Sequence, residues 1–225
     1  MKRISGYIIS LVAIILALPA QAQEDAGAAI PASPADTIII EPGLRIGFNL
    51  VRPLMVFPFP SRYGFESVAD LNISPDYFAV AEGGFSRRNL DEPDYHLTER
   101  GMFLRIGADR SLYNHLNDVI ALGARLGFSV YSREASHIIG RDPYWGSFTG
   151  SLPADTFFSQ WAEVVLVLKT EVFTNFFLGW NLRGKVLLAG RHDRHMEDRY
   201  VPGFGEGTTN SIAGFDFYMY YRIPL

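Results

Sequence analysis

A two-residue alternation of apolar and polar positions dominates the second half of the chain. Segment 118–133 shows it best, because six apolar residues from Ile120 to Val130 fall on one side of the chain and Gly, Arg, Ser and Tyr fall on the other. Successive side chains of a β-strand point to opposite faces, so this period predicts a strand with one apolar face. Segments 175–189 and 215–225 repeat the pattern and are predicted as strands as well.

Five weaker segments complete the predicted set of strands. They cover about 43–56, 65–73, 76–86, 97–108 and 157–169. A helix could also be drawn through 160–173, but the β-branched side chains of Val164, Val165 and Val167 favour a strand there. The pattern therefore predicts an all-β chain that forms a transmembrane, antiparallel, up-and-down β-barrel of about eight strands over residues 43–225.

The lengths of the links between these strands predict an orientation. Links 72–75 and 170–174 are short and link 109–117 is moderate, whereas the links after strands three, five and seven are longer and polar or glycine-rich. Membrane barrels have short periplasmic turns and longer outer loops, so strand one is expected to start on the periplasmic side. Link 58–64 is short for an outer loop.

The first 22 residues are expected to be a signal peptide. Lys2 and Arg3 precede an apolar run over residues 4–18, and Ala-Gln-Ala at 20–22 fits the cleavage rule, with cleavage after Ala22. The alternative is a transmembrane anchor, but the run of about 15 residues is shorter than the ~20 that a spanning helix needs. Export through the Sec pathway to the outer membrane follows. Residues 23–42, rich in Ala, Pro and Asp, are predicted to be a flexible periplasmic segment.

Composition excludes several kinds of chemistry. The chain has no cysteine, which excludes a disulfide framework, a cysteine metal site, a thiol nucleophile and a lipoprotein anchor. Its net charge is −4, so it has no electrostatic basis for binding nucleic acid. Aromatic residues make up 14% of the chain, which suits strands and membrane interfaces. No cofactor is predicted.

The alternative to a membrane barrel is a soluble periplasmic β-sandwich or lipocalin-like barrel. The signal peptide, the aromatic-rich apolar face and the alternation that continues to Leu225 favour the membrane barrel. That terminal pattern resembles the signal read by the outer-membrane assembly machinery, although the usual last residue is Phe. The expected partners are outer-membrane lipid, this machinery during biogenesis and other envelope proteins.

The polar faces of the predicted strands carry charged residues that a narrow barrel would bury. The predicted lumen network is Arg45, Glu66, Asp70, Glu82, Glu99, Arg105, Arg125, Glu163, Lys169, Arg183, Lys185, Asp216 and Arg222. Seven bases and six acids are nearly balanced. Buried charges must pair, and an interior of about eight strands is filled by side chains, so the balance predicts a plugged lumen over an open pore.

The outer loops contain the other candidate residues. His192, Asp193, His195 and Glu197 could ligate a divalent metal, but a mixed-charge loop is normally just solvated, so no metal site is predicted. Tyr144, Trp145 and Phe148 are candidate anchors for a partner, or else pack on their own loop or at the lipid interface. The glycine-rich stretch 203–207 is expected to be a flexible loop.

A lipid-modifying hydrolase would need a serine and a histidine near the membrane rim. Ser132, Ser136 and His137 fall near the outer end of strand five, and His96 near that of strand four. The sequence contains no G-x-S-x-G motif and shows no acid that would orient a histidine, so no catalytic residue is predicted.

Three stretches resemble a known group of proteins: PGLRIG at 42–47, GMFLRIGAD at 101–109 and YYRIPL at 220–225. Together they make most of the mature chain similar to uncharacterised outer-membrane proteins of Bacteroidota. The resemblance implies a barrel of unknown function and carries no catalytic residues. The leading hypothesis is a non-enzymatic structural or interaction barrel, such as an accessory subunit of an envelope complex. The alternatives are a lipid-modifying barrel enzyme and a narrow pore for small solutes.

Overall fold

Residues 43–54, 61–115, 118–142, 144, 146–190, 200–206 and 209–224 are described by a computed structural model, in which strands predominate. The strands are β1 Gly43–Asn49, β2 Arg62–Ser74, β3 Tyr77–Glu92, β4 Tyr95–His115, β5 Asp118–Asp142, β6 Gly146–Phe173, β7 Phe176–Gly190, β8 Tyr200–Val201, β9 Gly205–Glu206 and β10 Ser211–Pro224. One short helix, α1, covers Val51–Leu54. The expected signal peptide and the leader 23–42 lie outside the described residues.

Eight of these strands close into a barrel. Their order around the ring is β1-β10-β7-β6-β5-β4-β3-β2, so neighbours in sequence pair along most of the ring and β1 pairs with β10 to close it. Every pairing is antiparallel. The predicted all-β, up-and-down barrel of about eight strands is therefore confirmed. Strands β8 and β9 form a separate two-stranded hairpin.

The two faces of the barrel wall have opposite chemistry. On β7 the side chains of Trp180 and Leu182 are 54% and 50% exposed, whereas those of Asn181 and Arg183, which alternate with them, are 2% and 3% exposed. The outward face is thus apolar and the inward face polar, as the alternation predicts. Strand β6, whose mixed inner face blurs the pattern, obeys the same rule, since Trp161 and its inward neighbours are buried.

Among the described residues, no helix is both long enough and apolar enough to cross a membrane.

The strands after residue 86 are longer than predicted. The polar links expected at 87–96 and 134–156 are largely strand, because β3 and β4 meet at the turn 93–94 and β5 and β6 continue to Asp142 and Gly146. An antiparallel hairpin can form where both faces are wetted, and then carries no apolar alternation to reveal it. The polar composition of these two segments therefore predicts loops, whereas their backbones continue the hydrogen-bonded ladder of the strands.

The predicted first strand is too long. Strand β1 ends at Asn49, whose side-chain oxygen accepts the backbone N–H of Val51 at 2.9 Å and so caps helix α1. The helix interrupts the period of the strand, and its Arg52 side chain reaches the buried Glu66 at 2.7 Å.

The glycine-rich stretch 203–207 is not a flexible loop where the structure describes it. Residues 203–206 belong to the β8–β9 hairpin, and Val201, Gly203 and Phe204 are buried. Gly203 has a φ of 80°, and a Cβ there would lie 2.5 Å from the ring of Phe103, so only glycine fits. We call residues 200–206 the plug hairpin.

Candidate functional site

The centre of the lumen is organised around Arg105 on β4. Its wholly buried guanidinium reaches carboxylates from three other strands: Glu66 on β2 at 2.5 Å, Glu82 on β3 at 3.1 Å and Glu163 on β6 at 3.6 Å. The inward pleat of each strand presents these side chains at the same level of the barrel. One cation therefore joins opposite sides of the wall.

Arg183 on β7 makes a second set of bridges across the same layer. Its Nη1 lies 2.9 Å from both Glu82 and Glu163, and its Nε lies 2.7 Å from Asp216 on β10. The hydroxyl of Tyr218 accepts a hydrogen bond from Nη2 of Arg183 at 2.9 Å and donates one to Glu66. Two arginines thus share Glu82 and Glu163.

Further contacts extend this layer to every strand of the barrel. Arg125 on β5 lies 2.6 Å from Asp109 and 3.5 Å from Glu82. Asn49 on β1 donates to Asp216 at 2.7 Å, and Arg52 of helix α1 lies 2.7 Å from Glu66. We call this set the central network; its charged members are Arg52, Glu66, Glu82, Arg105, Asp109, Arg125, Glu163, Arg183, Lys185 and Asp216. Five acids face five bases, so the layer is neutral.

A smaller charged group lies towards the short-turn end of the barrel. The two oxygens of Asp70 on β2 contact Arg45 Nε at 2.6 Å and Lys169 Nζ at 2.5 Å. The ring centroid of Phe78 lies 4.7 Å from the Arg45 guanidinium, and that of Tyr220 lies 4.8 Å from Lys169 Nζ. These cation–π contacts add to the pairing of buried charge at this level.

An apolar layer accompanies this group. It contains Val68, Phe78, Val80, Val119, Ala121, Val165, Val167, Phe177, Tyr218 and Tyr220. Its valines come from β2, β3, β5 and β6 and pack among the charged side chains. The inward face of the barrel is thus a packed core with embedded ion pairs.

The plug hairpin packs against inward side chains on the other side of the central network. Val201 and Phe204 pack against a cluster of inward aromatic side chains, and Phe204 meets Trp161 edge-on at 5.9 Å between ring centroids. Lys185 Nζ donates to the backbone oxygens of Gly203 at 2.8 Å and Phe204 at 3.0 Å. The other members of the aromatic cluster are Phe103, Tyr131 and Phe157.

Ion pairs also fasten the end of the plug hairpin to the wall. Glu206 contacts Arg62 at 2.8 Å and Arg88 at 3.0 Å. Arg88 in turn lies 3.4 Å from Glu99, which is 2.6 Å from Arg133. The plug hairpin therefore contacts the barrel wall both through apolar side chains and through ion pairs.

The structure brings most of the predicted lumen residues together. All thirteen are buried except Arg222, which is half-buried near the short turns, 3.8 Å from Glu171 and 3.0 Å from the side-chain oxygen of Asn175. Arg52, Arg88, Asp109 and Arg133 were not predicted. Arg133 already lies on the inward face of the predicted segment 118–133, and the period continued beyond the predicted strand ends would have found Arg88 and Asp109. Arg52 lies on a helix, which that period does not describe.

Only some of the predicted loop residues lie within the described part of the chain. Tyr144 lies at the tip of the β5–β6 hairpin and is 88% exposed. Phe148 belongs to β6, opposite Gly140, and Trp145 lies outside the described residues. His192, Asp193, His195 and Glu197 also lie outside them. Within the described part of the chain, no three or more His, Asp or Glu side chains form a cluster that could hold a metal ion.

The residues considered for a hydrolase lie at the rim. The Nδ1 atom of His96 is 2.8 Å from Asp91 Oδ1, an orienting acid that the sequence did not reveal. Ser136 pairs with His96 in the β4–β5 register, but among the described contacts its hydroxyl bonds neither that ring nor the ring of His137. Ser132 pairs with Arg100 and Thr156. Within the described residues, a nucleophile joined to a base is therefore not formed.

An apolar exterior and an interior filled by paired charge define a class of protein, the small closed antiparallel β-barrel with a polar core. The chain belongs to the family described as Domain of unknown function (DUF6048), whose model matches residues 4–225. Comparison with curated protein sequences gives no match.

The fold is similar to that of several solved outer-membrane proteins. The attachment invasion locus protein Ail of Yersinia pestis is 12% identical, with 81% of this chain and 98% of that chain covered and a TM-score of 0.43. A major outer membrane protein of Thermus thermophilus is 10% identical, with 81% and 98% covered and a TM-score of 0.45. CarO2 of Acinetobacter baumannii is 10% identical, with 82% and 99% covered and a TM-score of 0.39.

Proposed function

We propose that this chain is an outer-membrane β-barrel with a closed lumen and a non-enzymatic structural or interaction role, such as that of an accessory subunit of an envelope complex. The observation that carries the proposal is the central network, which joins all eight strands of the barrel across its interior. Lipid and the assembly machinery are the partners proposed for insertion into the membrane.

The outward apolar surface supports a membrane location. On β7 the outward apolar positions run from Phe176 to Leu188, twelve steps along the strand. At about 3.3 Å per residue and a tilt of about 40°, they span roughly 30 Å, close to the ~25 Å apolar band of membrane barrels. Large exposed apolar residues on other strands include Ile46, Phe65, Phe85, Met102, Leu126, Val130, Phe158 and Phe215. In water this belt would be costly to expose.

The interior supports a closed lumen. The side chains of Arg105, Arg183, Glu82 and Glu163 have 0% exposure, so no continuous water path passes beside these groups. Separating one buried partner from the others costs about 3–5 kcal/mol, which makes spontaneous opening rare. The plug hairpin adds an apolar seal in series with this charged one. A narrow pore for solutes is therefore the less favoured alternative.

The β5–β6 hairpin supports an interaction role. The last pair between β4 and β5 is His96–Ser136, and the last between β6 and β7 is Ser159–Gly190, yet β5 and β6 continue to pair up to Asp142–Gly146. A two-stranded arm thus reaches past the neighbouring strands, with Tyr144 exposed at its tip. Aromatic side chains on such arms are favoured anchors in interfaces.

Planar-bilayer recording of the purified chain tests the closed lumen. We expect insertion with no conductance above background, and a steady single-channel current would overturn the proposal. A doubly substituted chain, Arg105→Ala with Arg183→Ala, is the positive comparison, because it removes the two cations that join opposite walls.

Co-purification from detergent-solubilised membranes tests the interaction role. A partner that is retained by the full chain and lost when residues 137–151 are replaced by a two-residue turn would support it. Recovery of the full chain as a lone monomer in every detergent would contradict it.

A further inference from the structure

Asp91, His96 and His137 meet on the outside of the barrel, at the end away from the short turns. Asp91 on β3 and His96 on β4 are direct partners across the hairpin, and His96 is the partner of Ser136, which precedes His137 on β5. Three adjacent strands therefore bring a carboxylate and two imidazoles to one level. None of the three belongs to the lumen.

The two imidazole rings face each other closely. Their centroids are 5.7 Å apart and their planes are inclined by 32°. His137 has a φ of 54°, and the β5–β6 register shifts between Ala135 and Ile138, so His137 lies in a β-bulge. Bulges re-aim side chains, and a positive φ in a non-glycine residue is held only where its surroundings impose it. The irregular position of the ladder thus coincides with the place where the two rings lie side by side.

Ring nitrogens remain available on both histidines. The Nδ1 atom of His96 contacts Asp91 at 2.8 Å, which leaves Nε2 as the second nitrogen of this half-exposed ring. For His137, which is exposed, the contact with His96 is the one interaction within the described residues. A carboxylate on one nitrogen that leaves the other free is the usual arrangement around a metal-binding histidine.

We propose that His96 and His137 form a two-histidine site for a divalent transition-metal ion, copper or zinc, with Asp91 orienting His96. Imidazole is a preferred ligand of both metals. Metal–nitrogen bonds of about 2.0–2.1 Å place the centroids of two ligating rings roughly 4.5–5.5 Å apart, close to the 5.7 Å observed here, and rotation of the two side chains would bring one nitrogen of each ring to a shared ion. Because the described residues hold no third ligand of suitable geometry, water or a partner's donor fills the other positions.

This site lies beyond the apolar belt and goes beyond the proposed function of the barrel. His96 is six residues past Met102, the last strongly exposed apolar residue of β4 in that direction, which is about 20 Å along the strand. A bound ion would join the β3–β4 hairpin to β5 in water. It would also leave the lumen unchanged.

Titration of the full, detergent-folded chain, purified without a histidine tag, with Cu²⁺ tests the proposal. We expect one equivalent to bind with an electron paramagnetic resonance spectrum showing two coordinated nitrogens. His96→Ala and His137→Ala should each weaken binding about tenfold or more and reduce the signal to one nitrogen. Asp91→Asn should weaken it about tenfold while both nitrogens stay coordinated.

The matched control is the double variant His192→Ala with His195→Ala, which removes the other closely spaced histidine pair of the sequence and should bind Cu²⁺ as the unchanged chain does. Binding that is lost in this control, or kept when both His96 and His137 are alanine, would overturn the proposal. Since Asp91, His96 and His137 are exposed, their substitution should leave the fold intact, and an unchanged heat shift on electrophoresis verifies that each variant is folded.

Discussion

At the scale of single residues, Arg105 is one of two lumen arginines in the described part of the chain, with Arg183, that each contact three buried carboxylates. Glu66, Glu82 and Glu163 all contact it within the lumen. Arg105→Ala should lower the free energy of unfolding by about 3–5 kcal/mol, because each carboxylate loses a cation and cannot reach water. Urea unfolding of the chain in lipid vesicles, followed by tryptophan fluorescence, measures the change.

The control for this substitution is Arg100→Ala on the same strand, where the arginine is exposed. Its effect should stay within about 0.5 kcal/mol. Similar losses for the two variants would mean that pairing in the lumen contributes nothing specific to stability.

Gly127 on β5 is a position where the backbone of the barrel wall lies directly against a core side chain. A Cβ there would lie 2.1 Å from the indole ring of Trp161, whereas a Cβ at Gly184 would meet nothing within 4 Å. Gly127→Ala should therefore destabilise the barrel by about 1–3 kcal/mol, and Gly184→Ala should not. The same vesicle unfolding experiment compares them, and equal stabilities would contradict the packing of Trp161 against β5.

The residue scale also shows what the sequence can predict. The charged lumen side chains followed from a period of two. Arg133 lies on the inward face of the predicted segment 118–133, and Arg88 would have followed from a longer reach of the same period. Arg52 could not, because it enters the central network from a helix whose start depends on Asn49. Which acid pairs with which base depends on tertiary distances that the pattern does not contain.

At the scale of elements, strand faces were predictable and strand ends were not. The apolar alternation of β5 and β6 stops before the strands do, because their hydrogen-bonded ladder continues to Asp142 and Gly146. The strands of the plug hairpin have two residues each, which is too short to show an alternation of apolar and polar positions. Its place in the lumen comes from contacts with distant residues such as Phe103 and Lys185.

The plug hairpin should depend on Phe204. Phe204→Ala removes a buried ring that packs on Trp161 and should cost about 3–5 kcal/mol of stability, with faster amide hydrogen exchange over residues 200–206. Tyr144→Ala, a truncation at an 88% exposed aromatic residue, is the control and should change neither. Slow exchange retained in Phe204→Ala would show that the hairpin is held by its ion pairs alone.

At the scale of the whole molecule, the barrel has an apolar exterior, unlike a soluble protein, but its interior is only partly polar. Its exterior is apolar, and its interior combines valine and aromatic packing with a neutral set of ten central charges. Closure of the ring pairs the backbone groups of β1 with those of β10, which is the requirement for strands in lipid. Fold and filling therefore support the same proposal, a membrane barrel without a conducting path.

Electrophoretic heat modifiability of the chain in a carbonate-washed membrane fraction tests that proposal most directly. A membrane barrel with this fold resists carbonate extraction, stays folded in detergent without boiling and migrates differently once boiled, because unfolding the closed ring needs heat. We expect both behaviours. A chain that carbonate releases and that migrates identically with and without boiling would contradict the membrane barrel.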